Sequence, residues 1–439
     1  MATRSLNPNA VVAAALGGLL FGFDTAVIAG VTDALRHSFG LSPVALGSAV
    51  SAALVGTLIG ALGAGAPGDR YGSRTMLLWV AIAYVVSAVG SAASGGLAML
   101  IGFRFIGGLA IGGSSVLAPV YIAEISPAER RGLLVGSFQL SVVAGILAAY
   151  VSNFLIGRIA DGDLAWRLKL GVAALPALLF LAMLLRIPQS PRWLVQKARE
   201  TEAREAIRQL SMGDPDRLVA QFRAGEDRNG GARLDWRRHH RPILLAVAIA
   251  LFNQLSGINA ILYYLGDIFA AAGFSSLSAD LQSVAIGVAN LVATLVGMAV
   301  IDRIGRKPLL LTGAAGTAAA LAAVAAIYTS GTGQAWLLPA LIVFILFFAI
   351  SQGAVIWVYL SEIFPTAVRA RGQAIGSATH WGMNALIAFG FPVVAQHMQA
   401  LPFWFFAAAM VVQFIVVWRY FPETRGVPLE TMEEAVEGS

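Results

Sequence analysis

The chain has 439 residues, 58% of them hydrophobic and only 12% charged, with a mean hydropathy of +0.75; a soluble domain is about half apolar and a quarter charged, so a water-soluble globule is excluded. The net charge of +6 comes from Lys and Arg placed mostly in short connectors between apolar runs or in one hydrophilic loop, which is a membrane-orientation pattern and not a nucleic-acid groove. No cysteine is present, which excludes disulfides, thiolate metal sites and cysteine nucleophiles.

The first apolar run, Ala10 to about Val31, follows Arg4 and Asn7-Pro8-Asn9 and is too long for a signal-peptide core, so it reads as a retained first helix. A span needs about 20 apolar residues. By that measure the spacing predicts twelve helices, at 10–32, 44–65, 75–93, 97–122, 132–157, 167–187, 242–270, 279–301, 308–329, 336–361, 372–395 and 402–421. Arg70, Arg74, Arg130, Arg131, Arg303, Arg306, Lys307, Arg369 and Arg371 all fall in connectors on one side. The other side holds chiefly Arg36, Arg158, Arg167 and Lys169. The positive-inside rule then puts both termini and the long loop in the cytoplasm of a multi-pass inner-membrane protein.

That loop, about 189–241, carries an amphipathic stretch with Leu194, Val195, Ala198, Ala206, Ile207 and Leu210 and predicts a cytosolic helix under the bundle. Glu200, Glu202 and Glu205 dilute its positive face and argue against a nucleic-acid or calmodulin-type target. The predicted architecture is all-α, with a six-helix bundle at 1–188, a cytoplasmic helical linker at 189–241, a second six-helix bundle at 242–421 and a cytoplasmic tail at 422–439.

The halves repeat. GDRYGSR around Asp69 answers IDRIGRK around Asp302 at an offset of 233, EISPAERRG from Glu124 answers EIFPTAVRARG from Glu362 at 238, and PQSPRW from Pro188 answers PETRGVP from Pro422 at 234. Carriers built from such repeats bind substrate at the midplane between halves and expose it to each side in turn.

Asp24 lies in the middle of an apolar span and Arg104 near the start of the fourth. An ionisable residue at that depth costs a few kcal/mol or more, about 3 on insertion scales, and is a functional candidate by default. The alternative is a structural ion pair that fixes helix packing.

Together these blocks resemble the sugar porter family of the major facilitator superfamily along nearly the whole chain. The resemblance rests on GGLLFGFDTAVIAG at 17–30, RFIGGLAIGG at 104–113, PVYIAEISPAERRG at 119–132, FNQLSGINAILYY at 252–264, IWVYLSEIFP at 356–365 and PETRGVPLE at 422–430. Four positions depart from the family pattern: Ser73 stands for an Arg, Gln189 for the Glu of P-E-S-P-R, Asn253 for the first Gln of a pair, and Ala354 for a frequent proline.

The resemblance implies a proton-coupled monosaccharide symporter, with D-glucose or a similar hexose as cargo, the proton as coupling ion, the bilayer as surroundings, and no cofactor. It implies Asp24 and Arg104 as the coupling pair, because bacterial and plant proton symporters of the family carry Asp at the position of Asp24 and animal facilitative carriers usually a neutral Asn. Sugars need neutral amides for their hydroxyls and aromatic faces for their C–H patches. The matching positions are Gln139, Asn253, Gln254, Asn259, Asn290, Trp357, Trp381 and Asn384, with Phe21 and Thr25 beside Asp24. For each amide the competing reading is interhelical glue, and for each tryptophan, packing. Gly257, between Gln254 and Asn259, suggests a locally broken helix. Tyr263 and Tyr264 suit a far-side gate or an interfacial belt, and His380 a sugar hydrogen bond, packing or a second proton carrier.

Asp69, Arg70, Arg74, Glu124, Arg131, Asp302, Arg303, Arg306, Glu362 and Arg371 are implied as a cytoplasmic gate, with topology signalling as the plainer reading. A single chain is the expected transport unit. A facilitative uniporter and a non-transporting sugar sensor share the fold; the short acidic tail after Pro422 speaks against the sensor. No H-E-x-x-H or phosphate-cradling loop supports an enzyme, and His239-His240 lack metal-site partners in sequence.

Overall fold

The computed structural model describes residues 8–126, 131–226, 234–364 and 368–425. Every regular element among them is helical. Inside a bilayer no water is available to satisfy peptide groups, so a chain this apolar folds into helices that bond within themselves.

Among the described residues, eleven helices are long and apolar enough to cross a membrane. Ten come first: α1 Pro8–Gly30, α2 Pro43–Gly63, α3 Ser73–Ala92, α4 Leu97–Ile125, α5 Leu134–Gly157, α6 Gly162–Leu185, α7 His239–Tyr263, α8 Ser276–Ile304, α9 Arg306–Ser330 and α10 Gln334–Glu362. Next, α11, Arg369–His397, is 29 residues long but carries His380, Trp381 and Asn384 in mid-span, which lower its hydropathy. The last is α12, Leu401–Tyr420. All twelve predicted spans fall on these helices, and α4, α8 and α11 run several residues past the expected ends. The seventh span, predicted at 242–270 with a local break at Gly257, is broken there. Gly257 takes φ +77 as N-cap of Ile258–Tyr263, and Leu265–Ala271 follows after a second irregularity at Tyr264.

One compact unit comprises Met1–Ala26, Ala52–Ala149 and Trp166–Gly230. Its core joins Leu20, Tyr84, Tyr121, Phe138 and Phe180. Small residues bring the backbones together: a Cβ on Gly108 of α4 would stand 1.9 Å from the Ala53 carbonyl of α2, and one on Gly112 would stand 2.2 Å from that of Thr57. Gly56 and Gly60 answer from α2 against Phe105 and Leu109. These are two facing glycine-x-x-x-glycine stripes, which replace the hydrophobic drive that lipid does not supply with van der Waals contact.

The linker holds three short helices, Pro191–Gln196, Glu200–Gln209 and Pro215–Glu226. Ser190 caps the first, with Pro191 in its first turn. Leu194, Val195, Ala206 and Ile207 are buried in the linker's own core, and Leu210 reaches the core of this unit. Ala198 differs from expectation: it takes φ +56 in the turn between two helices and is exposed, so it lies off the apolar face. Trp193 Nε1 donates to the Asp69 carbonyl at 2.9 Å and ties the linker to the short helix Gly65–Tyr71 that follows α2.

The other unit comprises Val27–Ser51, Tyr150–Ala165 and Gly231–Ser439. Ile249, Leu310, Tyr359, Phe364 and Phe421 mark its core. A π-helical turn at Ala349–Gly353 interrupts α10. Here too, tight approaches are made over glycine: a Cβ on Gly266 would lie 2.6 Å from the Ala29 carbonyl, and one on Gly47 would lie 2.4 Å from that of Phe389. Tyr150 donates to the Leu262 carbonyl at 2.9 Å, and Arg36 pairs with Asp267 at 3.1 Å.

Candidate functional site

In the first unit the two ionisable residues singled out in the sequence meet. Arg104 Nη1 donates to Asp24 Oδ1 at 2.8 Å, and its Nη2 reaches the Asp24 carbonyl at 3.4 Å. Asp24 is 8% exposed and Arg104 3%. Glycine again makes the meeting possible. A Cβ on Gly22 would lie 1.8 Å from the Val142 carbonyl, and one on Gly107 would strike Ser87 Oγ at 2.4 Å and stand 3.9 Å from Asp24 Oδ1. Asp24 Oδ2 and Arg104 Nε are buried without a hydrogen-bond partner among the described residues. A charged pair half-satisfied in this way costs free energy. Phe21 and Thr25 flank Asp24 on α1, and with Gln139 on α5 they are partly buried.

In the second unit the expected amides form one hydrogen-bonded chain beside the break in α7. Asn259 Nδ2 donates to Gln254 Oε1 at 3.1 Å, and Gln254 Nε2 lies 3.1 Å from each ring nitrogen of His380. The same amide nitrogen lies 3.4 Å from Asn253 Oδ1, whose own Nδ2 reaches the Gln352 carbonyl at 3.5 Å. The His380 ring stands between two indoles, with centroids 5.1 Å from Trp357 and 5.0 Å from Trp381. Asn384 Nδ2 donates to Tyr263 Oη at 3.0 Å, leaving Asn384 Oδ1 buried without a partner among the described residues. Tyr264 donates to the Ala388 carbonyl at 2.9 Å and stacks on Phe391. Asn290 is buried on α8 and takes no part in this chain of bonds among the described residues.

Sequence reasoning missed Gln352. It is buried in the π turn of α10, its Nε2 lies 3.3 Å from Met410 Sδ, and its Oε1 has no partner among the described residues. The signal was the polar Ser351-Gln352-Gly353 inside an otherwise apolar run.

Of the gate candidates, Arg306, Glu362 and Asp302 come together. Arg306 grips Glu362 with two bonds of 3.1 and 2.7 Å and lies 3.0 Å from Asp302. Thr424 donates to Glu362 at 2.6 Å, and Glu423 accepts from the backbone N–H groups of Arg306 and Lys307. Arg303 is exposed, and its carbonyl accepts from Arg425; Arg371 is also exposed. In the first unit, Arg74 is spent on the Leu184 and Leu185 carbonyls and Arg70 lies over the Tyr71 ring. Asp69 offers its carbonyl to Trp193, and Glu124 is partly buried at the end of α4. The side chain of Arg131 lies outside the described residues.

Residues 10–436 match the family described as Sugar (and other) transporter. The D-xylose-proton symporter of Escherichia coli is 35% identical over 96% of this chain and 94% of its own length. The glucose facilitated diffusion protein of Zymomonas mobilis is 35% identical over 98% of each. A solved structure of the E. coli xylose transporter XylE, in a partially occluded inward-open conformation, superposes with a TM-score of 0.85 at 31% identity, covering 96% of this chain and 99% of that one. The chain therefore belongs to the sugar transporter family of the major facilitator superfamily, and is a multi-pass membrane carrier and not an enzyme.

Proposed function

We propose that the chain carries a monosaccharide, D-glucose or a similar hexose, together with a proton across the inner membrane by alternating access. The observation that carries this reading is the buried Asp24–Arg104 pair. Relatives of equal identity are named as a proton symporter of xylose and as a facilitated-diffusion protein for glucose, so kinship leaves coupling open, and the pair supports symport. Burial favours a neutral carboxyl and a nearby guanidinium favours an ionised one. On this reading the Arg104 guanidinium and the transported proton compete for one Asp24 carboxylate, and movement that parts the pair hands it from one to the other.

In the second unit Gln254, Asn259, His380 and Asn384 offer donors and acceptors for sugar hydroxyls and Trp357 and Trp381 offer aromatic faces; in the first unit the candidate contacts are Phe21, Thr25 and Gln139. Both termini lie in the cytoplasm, by the positive-inside count. One proton per sugar at 100 mV supplies about 2.3 kcal/mol, enough for roughly fifty-fold accumulation. In cells, added sugar should alkalinise the medium and an uncoupler should collapse uptake. Uptake indifferent to the uncoupler, with no alkalinisation, would establish the facilitative reading instead.

A further inference from the structure

On the face of α3 that packs against α4, hydroxyls recur at helical spacing: Tyr84, Ser87 and Ser91, with Ser94 just past the end of the helix, all of them buried. Close approaches fix how the two helices face each other. A Cβ on Gly113 would stand 2.9 Å from Val80, one on Gly107 2.4 Å from Ser87 Oγ, and one on Gly90 2.3 Å from the Phe103 ring. This antiparallel register sets Ser87 beside Gly107, close to Asp24, and Ser91 level with Phe103 and Arg104.

Small residues between membrane helices ordinarily serve packing, and a serine there usually returns its proton to a carbonyl one turn back. Ser94 does so to Gly90 at 2.8 Å, and Ser114 to Ile111 at 3.0 Å. Ser91 does not: its Oγ is buried without a hydrogen-bond partner among the described residues, as are Asp24 Oδ2 and Arg104 Nε. An acceptor, a donor and a hydroxyl, all buried and all unsatisfied, are costly when dry and are the groups that hold buried water. The stripe has two distinct ends. Tyr84 gives its proton to Ser114 at 3.0 Å, and beyond it the face continues as Val80 and Leu77. At the other end, Arg167 Nη1 donates to the carbonyls of Ala92 and Ser94 at 2.7 and 3.0 Å. That guanidinium is thus held on the carbonyl end of α3, as the Arg104 guanidinium is held on Asp24. The positive-inside count makes the Ser94 end the outer one.

We infer that Ser87, Ser91 and Ser94, with water between them, form the path by which the proton passes between the outer face and Asp24. The inference rests on the reading of Asp24 as the proton carrier. Residues one helical turn apart have Cβ atoms about 5–6 Å apart, a gap that one water spans with two ordinary hydrogen bonds. Each hydroxyl accepts a proton on one side and releases one on the other, so it is neutral before and after, and the proton ends on the Asp24 carboxylate. None of the candidate sugar contacts lies on the stripe, so proton access and sugar binding can be impaired separately.

The test uses the absence of cysteine from the chain, which lets a single introduced thiol report water at its position. In proteoliposomes of the purified full chain, in chloride-free buffer, silver ions should stop gradient-driven uptake by Ser91→Cys. They should leave the unsubstituted chain unaffected, and also Val86→Cys, which stands on the exposed face of α3. A second arm needs no reagent. Ser91→Ala should lower gradient-driven uptake about ten-fold relative to sugar-for-sugar counterflow, roughly the worth of one hydrogen bond in the transfer, and Ser91→Thr, which keeps the hydroxyl, should restore it. Silver without effect on Ser91→Cys, or an unaltered ratio in Ser91→Ala, would overturn the path and leave Asp24 as carrier. Uptake by the unsubstituted chain that ignores the proton gradient would overturn the reading on which the path rests.

Discussion

Arg104 donates to Asp24 at 2.8 Å in a bundle where both side chains are buried, and the second oxygen of Asp24 is left without a partner among the described residues. A pair built only for strength would satisfy both oxygens. Asp24→Asn keeps the shape and removes the titratable charge. Uphill accumulation should fall from roughly fifty-fold to none, while sugar-for-sugar counterflow continues. Undiminished uphill uptake in the variant, measured in energised vesicles, would remove Asp24 from coupling.

The amide chain of the second unit predicts a separate phenotype. Gln254 bonds both Asn259 and His380, so if these residues hold the sugar as proposed, Gln254→Ala takes away one contact and loosens two others. One lost hydrogen bond is worth about 0.5–1.5 kcal/mol. Half-saturation should therefore rise on the order of ten-fold with the proton-to-sugar ratio unchanged. Proton flux uncoupled from sugar in this variant would place Gln254 in coupling instead.

The facing glycine stripes of α2 and α4 predict a folding defect. Gly108→Val would drive its side chain into the Ala53 carbonyl, already only 1.9 Å from where a Cβ would stand. Overpacking costs about 1–3 kcal/mol when neighbours can move, and backbone moves less readily than side chains. A marked fall in the thermal midpoint of the purified protein is expected; an unchanged midpoint would mean that these helices do not pack this closely.

Asp267, in the short helix after α7, allows a prediction about pH. Burial pushes its carboxyl above the usual value of 3.8, Arg36 and the Thr32 hydroxyl pull it back, and Asp33 adds to the rise; His37 pairs with Asp33 at 3.6 Å. Because the folded form holds the proton more tightly than the unfolded chain, the contribution of this group to stability is fully present below the ordinary carboxylate value. It is lost as pH climbs through the raised one. Acidification should therefore tighten the Arg36–Asp267 corner, contrary to what a simple ion pair would do. In Asp267→Asn the dependence of the thermal midpoint on pH above about 4 should flatten; an unaltered slope would exclude this residue as its source.

The twelve spans were legible because residues that are apolar on every face admit little except a membrane helix. The break in α7 was legible too, from one glycine set between amides. Asp24 and Arg104 stood out as charges in apolar runs, though their hydrogen bond needed coordinates. The π turn holding Gln352 was hidden, since one polar residue in an apolar run does not reveal a change of helical pitch. The linker appeared as a single amphipathic helix because the αL turn at Ala198 carries neither glycine nor proline. The Arg36–Asp267 contact joins segments far apart in sequence. The asymmetry between the repeats was half visible: the sequence showed Ser73 in place of Arg, and only coordinates showed the Arg306–Glu362 pair that the second repeat builds at the matching position.

The measurement closest to the central claim is uptake of a labelled sugar panel into proteoliposomes containing only this protein, with and without an imposed inward proton gradient. The account predicts uphill accumulation of a hexose with the gradient, equilibration without it, and no accumulation with Asp24→Asn. Identical uptake under both conditions would contradict proton coupling, and a gradient-driven uptake restricted to pentoses would contradict the choice of cargo.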